Sequence, residues 1–151
     1  MKLVYQIAFA GAITLAAAVT TPSLANAAEH VIKMLNKDEA GNKMVFEPAF
    51  VKVEVGDTVK FEPTDKGHNA ESVPKIWPEG VEQVKGKFSA EVVFKAEKDG
   101  LYVFKCLPHY GMGMVALVQV GKPVNLEQVK GFVATGLSKQ RFEAELKKVT
   151  E

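Results

Sequence analysis

Apolar and polar residues alternate with a period of two over much of this chain. Val51, Val53 and Val55 alternate with Lys52 and Glu54, Gly56-Asp57 marks a turn, and Val59 and Phe61 alternate with Lys60 and Glu62. That pattern predicts a strand, a turn and a strand with one apolar face. Val92, Val93 and Phe94 predict another strand over 91–96, closed by Lys98-Asp99-Gly100. Over 101–106, Tyr102, Phe104 and Cys106 fall on one face and Lys105 on the other. Residues 114–120 are nearly continuously apolar, as a central strand requires. Residues 30–36 and 44–46 are expected to add edge or inner strands. The stretch 68–86 is broken by Pro74, Pro78 and Gly80, which predicts a loop with one helical turn near 81–84.

After Pro123 the period changes. Asn125 with Gln128 three residues on reads as a capping box, opening a short helix that ends near Gly131. Ser138 is the expected N-cap of a second helix, with Leu137 and Phe142 in staple positions and Phe142, Leu146 and Val149 along one stripe. Short strands parted by Gly, Pro and Asp turns, with no crossover helices, predict an all-β sandwich with a C-terminal helical pair packed on it.

Composition narrows the setting. Residues 1–27 read as an export signal, with Lys2 at the start, an apolar stretch over 3–19 and Ala25-Asn26-Ala27 as the cleavage pattern. The apolar part is short for a membrane anchor. Residues 28–151 then form one domain, with Ala28 as the expected first mature residue. Without Lys2 the 19 basic residues become 18, against 18 acidic ones, so the mature charge is close to zero. Neither a nucleic-acid binder nor a polybasic membrane protein has this balance. The single cysteine, Cys106, is unusual in an exported chain, where thiols are normally paired, and calls for burial or bound metal.

Candidate chemistry is concentrated in Cys106-Leu107-Pro108-His109-Tyr110-Gly111-Met112-Gly113-Met114. Thiolate, imidazole and thioether are the donors that soft and borderline metals prefer, copper above all. Gly111 and Gly113 let the chain fold back, and Pro108 stiffens the first bend, so the loop can aim Cys106, His109 and Met114 at one point. Met112 is a second possible thioether. Another imidazole is needed, from His68 in Asp65-Lys66-Gly67-His68-Asn69 or from His30 near the mature N-terminus. Two imidazoles and a thiolate with a weak axial thioether describe a blue-copper electron-transfer site. An enzyme with Cys106 as nucleophile and His109 as base would leave Met114 idle and lacks an oxyanion-hole motif. Zinc is disfavoured because its protein sites use Cys, His and carboxylate donors.

The chain resembles the cupredoxins, and among them the pseudoazurins. Met34-Leu35-Asn36-Lys37, Met44-Val45-Phe46-Glu47-Pro48-Ala49, Asp65-Lys66-Gly67-His68-Asn69, Pro78-Glu79-Gly80 and the Cys106 to Met114 run follow that family's pattern in order. The resemblance implies a cupredoxin-like Greek-key β-sandwich with two C-terminal α-helices. It implies one copper ion cycling between Cu(I) and Cu(II), held by His68, Cys106, His109 and Met114. Asn69 would tie the two ligand loops beside the sulfur, Met44 would lie against the His109 ring, and Pro108 and Met112 would flank the site. A ring of lysines, with Lys37, Lys43, Lys66 and Lys105 as candidates, would steer acidic partners. Those partners would be nitrite reductase, nitrous oxide reductase or c-type cytochromes, met in the periplasm by a monomeric, non-enzymatic carrier. A copper storage or delivery protein is the alternative, but it calls for Met- or His-rich tracts that this chain lacks. Lys33 stands where many pseudoazurins have histidine, Leu107 where threonine is usual, and Trp77 is expected only to pack.

Overall fold

Among the described residues, 27–151, a computed structural model shows eight strands and two α-helices. The expected leader, 1–27, lies outside the described residues apart from Ala27. One sheet contains β1 (Glu29–Lys37), β2 (Lys43–Glu47), β4 (Thr58–Glu62) and β6 (Val92–Lys95), in the order β2-β1-β4-β6. The other contains β3 (Phe50–Val53), β5 (Glu71–Ser72), β7 (Gly100–Lys105) and β8 (Val115–Val120), in the order β3-β8-β7-β5. Helices α1 (Leu126–Lys130) and α2 (Leu137–Leu146) cover the outer face of the second sheet. The sandwich with two C-terminal helices is therefore the fold the alternation predicts.

Each sheet mixes pairings. β1 runs parallel to β4 and β3 parallel to β8, whereas β1–β2, β4–β6, β7–β8 and β5–β7 are antiparallel. The turn at Gly56-Asp57 consequently does not close a hairpin. It carries the chain from the second sheet to the first, so Val53 faces Val59 and Phe61 across the interior rather than along one sheet. Period-two alternation is the same in both arrangements, which is why the pattern could not separate them.

Two cores result. Between the sheets lie Ile32, Met34, Phe61, Phe94, Tyr102 and Phe104, joined by Cys106 and Met114. Between the second sheet and the helices lie Leu101, Val103, Leu117, Val129 and Phe142. β7 and β8 are thus buried on both faces, which accounts for their almost unbroken apolar sequence. Trp77 belongs to the first core. Its ring meets Tyr102, Phe104 and Phe94 edge-on at 4.9, 5.2 and 5.8 Å, and its N–H donates to Glu82 O at 3.1 Å.

Three local expectations give way. The helical turn of the 68–86 stretch is a 3-10 turn at Pro74–Ile76, with proline in its first turn, and 81–84 is irregular. Asn125 does precede α1, but its side chain makes no capping bond. It accepts from Leu101 N–H at 2.7 Å and donates to Leu101 O and Ile76 O, while Gln128 donates to Lys75 O, so tertiary partners replace the capping box. Ser138 lies inside α2, whose N-cap is Gly136, and its hydroxyl donates to Tyr110 O. Leu137 is exposed and makes no staple.

Candidate metal centre

The candidate donors gather at one end of the sandwich because three chain segments leave their strands there. β7 and β8 are paired through Lys105 and Val115, so Cys106 and Met114 start and finish the loop side by side. Cys106 N–H donates to Met114 O at 3.1 Å, and Met114 N–H donates to His109 O at 3.2 Å. A 3-10 turn over Tyr110–Met112, closed by Gly113 at φ 96°, folds the intervening chain back. His68 enters from the loop after β4, where its carbonyl accepts from Ser89 N–H at 2.8 Å.

Their donor atoms converge. His68 Nδ1 lies 3.0 Å from His109 Nδ1, and Cys106 Sγ lies 3.5 Å from His109 Nδ1 and 3.8 Å from His68 Nδ1. Two nitrogens bound to one ion at about 2.0 Å stand at most about 4 Å apart, and nitrogen and thiolate sulfur at most about 4.3 Å. All three separations satisfy that condition, so the three side chains could share one ion without rearrangement. His68, Cys106 and Met114 are fully buried, and His109 is half-buried. Met114 shares the inter-sheet core with Cys106, whereas Met112 is 45% exposed. His30 is remote. It lies six residues, about 20 Å, back along β1 from Asn36, where its Nε2 meets Asp57 at 3.0 Å.

Neighbouring groups prepare the donors. Asn36 Oδ1 lies 3.0 Å from His68 Nε2, so the ring proton sits on Nε2 and Nδ1 is left as a bare lone pair. No role for Asn36 was read from the sequence. Its signal was the alternation Ile32, Met34, Asn36, which puts a polar side chain on the core-facing side of β1 at the strand's exposed end. Asn69 joins both ligand loops: its N–H points at Cys106 Sγ at 3.5 Å, and its Oδ1 accepts from Leu107 N–H at 2.8 Å. Its amide also donates to Glu71 Oε2 and Gly86 O, each at 3.2 Å. Pro108 is exposed in the bend after Cys106, and Met44 is half-buried against the inter-sheet core.

Burial pushes the Cys106 thiol above its ordinary pKa, with N–H groups of Asn69 and His109 acting the other way. Burial, then the neighbouring His109, holds His68 below the ordinary histidine value and therefore neutral. A neutral imidazole is ready to ligate, but the thiol must release its proton as a metal enters. This mixture of one soft sulfur and two borderline nitrogens suits copper. A surface groove of about 750 Å³, lined by Pro78, Lys98, Pro123 and Leu126 among others, shares no residue with these donors.

Around the site, Leu107 and Met112 are exposed apolar side chains. Lys37, Lys43 and Lys66 are exposed, and Lys37 and Lys43 face each other across β1 and β2. Lys105 differs from them. Its ammonium pairs with Glu71 at 3.2 Å and lies 5.9 Å from the centre of the Tyr110 ring, so much of its charge is already matched.

The fold and donor set define a copper-binding β-sandwich. A family model for copper binding proteins of the plastocyanin/azurin family matches residues 32–121. Pseudoazurin of Paracoccus pantotrophus is 50% identical over 124 residues, covering 82% of this chain and 85% of that protein. The crystal structure of native pseudoazurin from Hyphomicrobium denitrificans shares 70% identity with a TM-score of 0.80, covering 82% of this chain and 99% of that one. Pseudoazurin from Methylobacterium extorquens AM1 shares 46% identity with a TM-score of 0.77, covering 81% and 99%. The chain belongs to the pseudoazurins, within the plastocyanin/azurin family. It is a type 1 copper electron carrier and not an enzyme.

Proposed function

We propose that His68, Cys106, His109 and Met114 hold the copper ion, and that the protein carries single electrons through the periplasm to a copper nitrite reductase or another denitrification reductase. The observation that carries the ligand assignment is the convergence of His68 Nδ1, His109 Nδ1 and Cys106 Sγ at 3.0–3.8 Å, with buried Met114 hydrogen-bonded through its backbone to two of them. Bound there, copper supplies one-electron chemistry between Cu(I) and Cu(II). The chain's part is to keep the donors still. Asn36 fixes the His68 tautomer, Asn69 ties the two loops, and the backbone bonds within 106–114 resist movement, so little reorganisation accompanies a change of charge. His109, half-buried among exposed Leu107, Pro108 and Met112, gives the electron a short route to a partner.

Lys37, Lys43 and Lys66 support docking to an acidic partner. Like charges set opposite each other on paired strands are destabilising, so the Lys37–Lys43 pair is better explained by recognition than by stability. The export reading rests on the 1–27 segment, and the lone Cys106 is compatible with it because its thiol is buried. A transient electrostatic encounter needs no second copy of the chain, and a monomer is the working state.

Cu(II)-loaded protein should be intensely blue through thiolate-to-copper charge transfer, and should bleach reversibly on reduction. Cys106→Ser should abolish the colour, Met114→Leu should shift the spectrum and Met112→Leu should not. Colourless wild-type protein, or copper surrendered to a weak chelator, would favour delivery over electron transfer.

A further inference from the structure

Arg141 is the chain's only arginine; the 19 basic residues less this one are 18 lysines. It stands on α2, and among the described residues no carboxylate forms a salt bridge with it. Its guanidinium binds three main-chain carbonyls instead. Nη1 donates to Met44 O at 2.8 Å and to Gly113 O at 3.1 Å, and Nη2 donates to Lys43 O at 3.1 Å. Two of these acceptors belong to β2, the edge strand of the first sheet. The third is the residue before Met114, in the loop leading into the second sheet. A planar fork of fixed donors can span such a set, whereas a lysine ammonium is a compact charge on a flexible stem.

The backbone is shaped to admit this side chain. At Gly113, with φ 96°, an added Cβ would stand 2.8 Å from Arg141 Cδ. Met44 adopts φ 52°, a left-handed conformation costly to a residue with a side chain, and its carbonyl is one of the three acceptors. Other parts of α2 reach the same loop. Ser138 donates to Tyr110 O, and Gly136 lies so near Gly111 that a Cβ there would stand 2.6 Å from Gly111 O. Gly136, Ser138 and Arg141 therefore reach Gly111, Tyr110 and Gly113 of the loop.

We propose that α2 clamps the loop carrying Cys106, His109 and Met114, with Arg141 as its positioning residue, and so shapes the loop before a metal enters. The loop's importance rests on the copper reading above, but the clamp is a property of the metal-free chain. The two strands anchor the loop at its ends, Asn69 holds Leu107, and internal bonds close the turn over Tyr110–Met112. The clamp adds a hold from outside, giving the carbonyls of Tyr110 and Gly113, which already accept from Gly113 N–H and Val115 N–H, a second partner on α2. A donor set held this way needs less rearrangement when metal binds.

Amide hydrogen exchange in metal-free protein tests this directly. The reporters are the N–H groups of Met112, Gly113 and Met114, which donate to His109 O, Tyr110 O and His109 O, with the amides of β4 and β6 as controls. Arg141→Gln should speed reporter exchange about tenfold or more relative to the controls, because hydrogen bonds from a charged donor are lost. Arg141→Lys should restore only part of the protection. In copper-loaded Arg141→Gln, the relative intensities of the visible bands should change while copper remains bound. Ser138→Ala, a milder change, should move the reporters the same way and decides the matter if Arg141→Gln does not fold. Reporter exchange that follows the controls in the folded variants overturns the clamp. Colourless wild-type protein would overturn the copper reading instead, and the exchange measurements would still decide the clamp.

Discussion

Replacing Asn69 by alanine removes three hydrogen bonds from a side chain that is 2% exposed. The Leu107 N–H and the Gly86 carbonyl lose the amide that joins their loops, and Glu71 keeps Lys105 as its partner. A buried group left unpaired costs about 1–3 kcal/mol, and Leu107, at the surface, can recruit water, so the sum comes to about 2–4 kcal/mol. For a domain of this size that corresponds to a fall in Tm of about 8–15 °C. The assay is thermal unfolding of metal-free protein followed by circular dichroism, since bound copper would add its own stabilisation to both forms. The backbone N–H of Asn69 survives the substitution but is no longer held against Cys106 Sγ, so the charge-transfer band of the loaded variant should also shift. A metal-free variant melting within about 2 °C of wild type would refute the argument that Asn69 ties the loops, because a change that small is below the loss of one buried bond.

Three further outcomes are expected. Asn36→Ala should weaken copper binding about 10–100-fold in competition with a chelator of known affinity, because the His68 tautomer is no longer fixed; Asn36→Asp, which keeps an acceptor, should lose less, and equal affinities for all three proteins would sink the tautomer argument. The N–H groups of Ala28 and Glu54, then His30, hold the Asp57 carboxyl below its ordinary value of 3.8. Its folded pKa is the lower one, so its stabilisation is complete above about pH 4 and lost as pH falls through the folded value. The Tm gap between wild type and Asp57→Asn should therefore narrow from pH 6 to pH 2, and a constant gap contradicts the assignment. Reversing Lys37, Lys43 and Lys66 to glutamate should slow reduction of an acidic acceptor such as copper nitrite reductase about tenfold or more at low salt, with the difference shrinking as ionic strength rises. A rate unchanged at every ionic strength would remove the docking proposal, whereas Lys105→Glu should do less because Glu71 already neutralises that lysine.

The division between what could and could not be read from the residues follows the range of the interactions. Strands were legible because alternation is a local property: Val59 and Phe61, or Tyr102 and Phe104, announce an inward face whatever the sheet. Which sheet a strand joins was not legible at Gly56-Asp57, since a hairpin and a crossover need the same turn chemistry. Candidate donors were legible because Cys106, His109 and Met114 occupy one loop, and His68 sits in a Gly-His-Asn step after a strand. The groups that orient those donors are distant in sequence and chemically ordinary. Asn36 reaches His68 across 32 positions, and Arg141 reaches Met44 across 97. Asn125 and Ser138 show the converse error: each carries a sound local capping signal, yet both side chains bond to distant backbone, Asn125 to Leu101 and Ser138 to Tyr110. Polar residues at buried ends of elements are therefore the positions where local rules are least reliable here. In this fold Asn36 and Ser138 sit beside the ligand loops, where the loop geometry is set, whereas Asn125 braces the opposite end of β7.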